Sequence, residues 1–195
     1  LDEDGVVVAM LVDKTHTSAT ADDAYAVVHE VQSTTNDDGD KVQEVFGYMD
    51  GAKLDKLTND KGIADGSDTI GTLWKVEFDS DGYIKKMSQQ TATTSAVGVD
   101  NVAPTEGTTV AAIDDNNIQL TTDDDWLAIA TDAVVYKATL DDGDLDVYKT
   151  GSVSDISEGY RVWLYNTVDD DDSKGADGYD VVIYLTKADA AKANF

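Results

Sequence analysis

Aspartate supplies most of the side chains in this sequence that could do chemistry. It gathers at Asp37, Asp38 and Asp40; at Asp79 and Asp81; at Asp123, Asp124 and Asp125; at Asp141, Asp142 and Asp144; and at Asp169, Asp170, Asp171 and Asp172 with Asp177. Carboxylates grouped in this way are hard oxygen ligands. Ca2+ takes about six to eight such oxygens, so one short loop needs help from a second loop or from backbone carbonyls. No cluster carries the full helix–loop–helix calcium pattern; Asp79, Ser80, Asp81 and Gly82 give only its beginning, and they sit between strands. The candidate calcium ligands are therefore Asp169, Asp170, Asp171, Asp172 and Asp177, because four adjacent carboxylates repel one another unless neutralised. Asp79 and Asp81 are the second choice. Each cluster also has a plainer reading as a solvated hairpin turn, since Asp is a turn residue.

Catalysis is not expected. His16 lies in a polar stretch, and His29 stands next to Glu30 in a strand, where neighbours point to opposite faces. Acid pairs for glycoside hydrolysis are available by number, yet nothing selects one pair. There is no phosphate-binding glycine loop, no nucleophile elbow and no His-Glu-x-x-His metal motif. Trp74, Trp126 and Trp163 with nine Tyr could line a sugar-binding face. Aromatics in β proteins more commonly fill cores and interfaces.

The charge sets the environment. The 195 residues carry a formal charge of −26, from 34 Asp and 6 Glu against 13 Lys and the single Arg161. Phosphate backbones need clustered Lys and Arg, so nucleic acid is excluded as a natural partner, and so is an anionic membrane surface. Cations and basic protein surfaces remain. Cysteine is absent, so no disulfide or thiolate metal site can form. No 18-residue apolar run is present, hence no membrane-spanning helix is expected. The sequence opens at Leu1 and reads as a processed or excised product.

These residues must be positioned by strands. The strongest signal is the hairpin over residues 159–186, GYRVWLYNT, an Asp/Gly tract, then YDVVIYLT. Both arms are nearly continuously apolar, which predicts either cover on both faces or a place in a barrel wall. Residues 71–87 look like a shorter copy, at an offset of 88 along the first arm, with the turn Asp81-Gly82-Tyr83 answering Asp177-Gly178-Tyr179. Trp74 and Trp163 then fall one position apart and are expected on opposite faces of their strands. A hairpin over 24–50, whose first strand is expected to be half-buried with Val27, His29 and Val31 alternating against Val28 and Glu30, a short strand over 52–58, and strands over 97–102, 108–113, 117–121, 126–139 (split near Thr131) and 145–149 complete the reading. Residues 152–158 read as a helical turn capped by Ser154 or Asp155, and 187–195 as a short terminal helix. The expected fold is all-β: two small barrel- or sandwich-like β domains with an N-terminal strand arm. Residues 1–21 are strand and linker, 22–93 the first domain and 94–195 the second, with a linker-like boundary at 89–96.

The N-terminal strand has two readings. Val6, Val7, Val8, Met10, Leu11 and Val12 form an apolar run, separated from the rest by a polar linker. They are either the first strand of domain one returning through a long loop, or an arm that adds to the sheet of a neighbouring molecule. Left unpaired, the strand is an aggregation hazard.

The strand YRVWLYN or TLWKVEF, entered from SDTIG or SDISEG, followed by an Asp-Gly turn and a return strand such as VVIYLT, resembles the repeated β domains of bacterial surface-layer proteins, particularly of Gram-positive bacteria. Asp-rich turns and scarce Cys and Arg fit that resemblance, which covers residues 24–187. It implies a cell-surface, extracellular structural role: a self-assembling crystalline coat or filament, often built with calcium, whose partners are other copies of itself and a cell-wall polymer. The wall-anchoring helical segment of that family is not recognisable here, which makes a filament subunit a comparable expectation. The alternative is a secreted module binding carbohydrate or another surface polymer, which would show an exposed aromatic strip.

Overall fold

The computed structural model describes residues 24–63, 73–90, 107–122, 124–141, 144–167 and 178–193. The fold is all-β, as expected. In chain order the strands are β1 (Ala24–Thr35), β2 (Lys41–Met49), β3 (Ala52–Leu57), β4 (Leu73–Phe78), β5 (Ile84–Gln89), β6 (Thr108–Asp114), β7 (Asn117–Leu120), β8 (Trp126–Asp141), β9 (Asp144–Thr150), β10 (Arg161–Tyr165) and β11 (Tyr179–Leu185), followed by one helical turn, α1 (Lys187–Ala190). The N-terminal strand and linker, the strand expected at 97–102 and the proposed domain boundary lie outside the described residues.

Two sheets form two units. In unit one the order is β3-β2-β1-β4-β5, with every ladder antiparallel. Its ends meet at a single parallel bridge between Thr58 and Ile84, where the Asn59 N–H donates to the Ile84 carbonyl at 2.9 Å. In unit two the order is β11-β10-β6-β7-β8-β9, and β8 also pairs in parallel with β11. That pairing closes β6, β7, β8, β11 and β10 into a five-stranded barrel. The two circuits correspond strand for strand: β1 with β6, β2 with β7, β3 with β8, β4 with β10 and β5 with β11. In each, three hairpin-connected strands are followed by a fourth that returns beside the first, which is a Greek key. β9 is an addition on the outside of β8.

The repeat read from the sequence holds at the level of faces. At an offset of 88, Trp74 and Val76 answer Val162 and Leu164, and each pair points into the core of its own unit. Trp163 sits on the opposite face of its strand, as expected. Unit one is filled by Ala26, Val28, Val45, Leu54, Trp74, Val76 and Ile84. Unit two is filled by Val110, Ile118, Leu120, Leu127, Ile129, Val135, Val162, Leu164, Val182 and Tyr184, with Ile156 also in the cluster. Ile156 follows a 3-10 turn (Val153–Asp155) capped by Ser152, not by Ser154 or Asp155; the Asp155 carboxylate reaches back to the Ser152 N–H at 2.9 Å. That reciprocal pair is a capping box.

A third apolar cluster joins the units. The outward faces of the second barrel contribute Tyr136, Ala138, Trp163, Tyr165, Val181, Ile183 and Leu185, β9 contributes Tyr148, and unit one contributes Val27 and Leu73. β10 and β11 are therefore covered on both faces, as their unbroken apolar sequence requires: alternate residues go to the barrel interior and to this seam. Burying a large side chain contributes about 2 to 3 kcal/mol, so the seam is a major source of cohesion.

Two expectations need correction. β1 does not alternate as a half-buried strand. Ala26, Val27 and Val28 are all buried, because one face looks into unit one and the other into the seam. The ladder with β2 then slips between Val28 and Glu30, leaving His29 as the extra residue of a β-bulge. The strand expected to break near Thr131 is one continuous β8. Its first half pairs with β7 and its second half with β11 and β9, so the polar pair Thr131 and Asp132 marks a change of partners.

Candidate functional site

Of the first and second choices for calcium, Asp79 and Asp81 fall among the described residues. Asp79 leaves β4, and its Oδ1 accepts the backbone N–H groups of Asp81 at 3.0 Å and Tyr83 at 2.9 Å. Its Oδ2 accepts the Asn59 amide at 3.4 Å. The Asp79 N–H donates to the Tyr83 carbonyl at 2.9 Å, and Gly82 takes the left-handed conformation that closes the turn. This carboxylate organises its own hairpin, and Asp81 is exposed beside it. Asn36 plays the same part in the first hairpin, accepting from the N–H groups of Asp38 at 3.1 Å and Asp40 at 2.8 Å. Among the described residues no three acidic or histidine side chains come together to hold a metal ion. Asp169, Asp170, Asp171, Asp172 and Asp177 lie outside the described residues, as do Val6, Val7, Val8, Met10, Leu11 and Val12.

Polar contacts also cross the seam, and sequence reasoning missed them. The Tyr25 hydroxyl donates to the Thr167 carbonyl at 3.1 Å, and the Gly51 N–H donates to the Tyr136 hydroxyl at 3.0 Å. Both bonds run from unit one to unit two. The Tyr48 and Tyr136 rings pack with centroids 6.0 Å apart, and the His29 ring centroid lies 6.4 Å from that of Tyr48. The signal that pointed here was the row of tyrosines spaced among apolar strand residues, each with an apolar ring and a polar tip.

Burial pushes the Tyr136 phenol up to about 12; the Gly51 hydrogen bond opposes this, and the Asp50 carboxylate adds to it. Tyr165 is raised further by deeper burial. For Tyr136 the folded value lies above the unfolded value of about 10. The protonated seam is therefore at full strength below pH 10, and its contribution falls as pH rises through 10 toward 12, by roughly 2 to 3 kcal/mol. Alkaline titration is expected to show part of the tyrosinate absorbance appearing only together with loss of near-ultraviolet circular dichroism. A fully formed tyrosinate signal with the dichroism intact at pH 12 would contradict a buried Tyr136.

The remaining surfaces are plain. Trp74 and Trp163 are 8% and 0% exposed, so neither can form part of a ligand platform. The large apolar side chains exposed among the described residues are Tyr83, on the Asp79 turn of unit one, and Trp126, at the start of β8 in unit two. An open groove of about 260 Å³ runs between Asn116, Thr131, Ala133, Gly151, Ser152 and Ser154. Its lining has no carboxylate or imidazole, and Ser152 and Ser154 hydrogen-bond to each other at 3.0 Å.

One sheet edge differs between the units. In unit two, β11 is flanked by β10 on one side and by Val134, Val135, Tyr136 and Lys137 of β8 on the other. In unit one, β5 is flanked by β4, and among the described residues its other side meets only the Thr58 bridge at Ile84. Beyond that bridge, no strand among the described residues pairs with the outer edge of residues 85–89. Lys85 and Lys86 at the start of this edge share Glu77, at 3.5 Å and 3.1 Å. Hydrogen bonding from Lys86 is the main reason the Glu77 carboxyl sits below its ordinary value.

The fold and these surfaces define an all-β protein of two matching units welded through a tyrosine-rich seam. Comparisons with protein families, with curated proteins and with solved structures find no match.

Proposed function

We propose that this chain is an extracellular structural protein that assembles with copies of itself into a surface layer or filament. The observation that carries the reading is the placement of the aromatics. A carbohydrate-binding module needs a strip of exposed rings on one face. Here Trp74 and Trp163 are buried, Tyr25, Tyr48 and Tyr136 hold the two units together, and the exposed Tyr83 and Trp126 belong to different units. Aromatic surface goes into cohesion, while the exterior is left to acidic turns. The resemblance to surface-layer β repeats points the same way.

The charge is part of the proposal. At −26 per chain, copies packed side by side repel unless salt or bound cations intervene. Calcium is the cation we propose. Asp79 is committed to its turn, so calcium would fall to the acidic loop at Asp169, Asp170, Asp171, Asp172 and Asp177. Electron microscopy of the purified chain, with calcium and then with chelator, tests both parts. Sheets or filaments that form with calcium and dissolve on chelation are expected. Polymers indifferent to chelator would remove calcium from the proposal and keep the structural role. Dispersed monomers in both conditions would sink self-assembly and turn attention to Trp126 as a polymer-binding residue.

A further inference from the structure

We infer that the outer edge of β5, residues 85–89, accepts residues 5–12 of a second copy as a parallel strand. The inference rests on the assembly reading and names its contact. The argument starts from the correspondence of the two units. The strand equivalent to β5 is β11, and its outer neighbour is the second half of β8, running parallel. That neighbour is apolar on both faces: Val135 points into the second barrel, while Val134 and Tyr136 point into the seam. In unit one the chain turns away after the Thr58 bridge, through Lys61 and Gly62, and nothing described takes this place.

A strand that takes this place, which no described strand fills, must meet the same demand, apolar on both faces. Outside the described residues the chain offers residues 64–72 (ADGSDTIGT), 91–106 (TATTSAVGVDNVAPTE), 168–177 (VDDDDSKGAD) and the N-terminal segment. Only residues 5–12 (GVVVAMLV) give an unbroken apolar run of strand length. At about 3.3 Å per residue it spans about 26 Å, longer than the open edge. The polar stretch over 13–23 reaches up to about 36 Å when extended, enough to pass to a neighbour.

Charge fixes the direction. Asp2, Glu3 and Asp4 precede the apolar run. In the parallel orientation they come beside Lys85 and Lys86, at the start of β5, where among the described residues both lysines pair with the same carboxylate, Glu77. The antiparallel orientation would bring only Asp13 there. Lysines on a bare edge ordinarily discourage strand pairing. In a chain this acidic they also select, admitting a strand that is led by acid groups.

The absence of cysteine makes the test specific. Met10→Cys and Ser88→Cys are placed on separate full-length chains, mixed in assembly conditions and oxidised; a double variant carrying both is treated alike. The expected result is a mixed Met10→Cys/Ser88→Cys disulfide dimer between separate chains and a covalent ladder from the double variant, each reduced at least tenfold when Lys53→Cys on β3 replaces Ser88→Cys. A double variant that gives only an internally bridged monomer would overturn the inference, because the segment would then close its own edge. Polymers visible by microscopy with no mixed disulfide would overturn it while leaving assembly standing. Neither polymers nor disulfide would remove both.

Discussion

Gly47→Ala is expected to destabilise the protein by about 3 to 5 kcal/mol, among the largest effects a single methyl group can have. Gly47 lies on β2 opposite the bulge of β1. A Cβ built there would stand 2.1 Å from the Val27 carbonyl oxygen and 3.1 Å from the Val28 Cα. The neighbours in the way are backbone, so no rotamer change relieves the clash. The two strands would have to part where Ala26, Val27 and Val28 are buried on both faces, loosening the core of unit one and the seam together. With a urea m-value of about 2 kcal/mol/M, the unfolding midpoint should fall by about 2 M. Gly39→Ala is the control: its Cβ meets nothing within 4 Å, so only the cost of its left-handed backbone, about 1 kcal/mol, remains. Equal midpoints for the two variants would show that β1 and β2 do not approach this closely.

Trp163→Ala should cost about 3 to 5 kcal/mol and also change the character of unfolding. Trp163 is fully buried in the seam, among residues of β8, β9 and β11, with Val27 and Leu73 of unit one in the same cluster. Removing the indole opens a cavity on the path by which each unit covers the other. We expect one cooperative transition in the parent chain and two in the variant, the units melting separately once their common cover is cut. Calorimetry distinguishes these outcomes; a single transition at a slightly lower temperature would mean that the seam does not couple the units. A second variant isolates the geometry. Gly107 has φ +60, and a Cβ there would sit 2.8 to 3.0 Å from the Trp163 ring. Gly107→Ala should destabilise the parent through both backbone strain and the clash, and the clash should vanish in Trp163→Ala, giving a double-mutant coupling of about 1 to 2 kcal/mol.

The sequence made some of this legible and concealed the rest for physical reasons. The hairpin of β10 and β11 could be read directly because each arm is apolar at nearly every position, and only a strand covered on both faces permits that. The kinship of 71–87 with 159–186 was visible for the same reason: core-facing residues recur at matching places, so Trp74 and Val76 foretell Val162 and Leu164. The seam was hidden. Alternation identifies which residues share a face, yet it does not say that the outward face of one barrel will rest on Val27 and Leu73. The bulge at His29 was hidden too, since it lies opposite Gly47, on another strand. β8 misled because Thr131 and Asp132 look like a break, when they mark where one strand exchanges neighbours. At Asp79 the turn itself was legible, because a turn carboxylate accepts the N–H groups two and four residues ahead.

The seam also bears on the order in which the protein is made. Val27 and Leu73 leave the ribosome before the residues that cover them, which run from Tyr136 to Leu185. At about 5 to 20 residues per second, the growing chain waits several seconds or more after Leu73 before its cover is complete. During that interval unit one holds its strands together with one apolar flank bare, beside the tyrosines Tyr25 and Tyr48. A nascent chain in that condition is a natural client for a holding chaperone, or for export before folding. Truncation after unit one would leave the same flank permanently bare, so half of this protein is expected to be stickier than the whole.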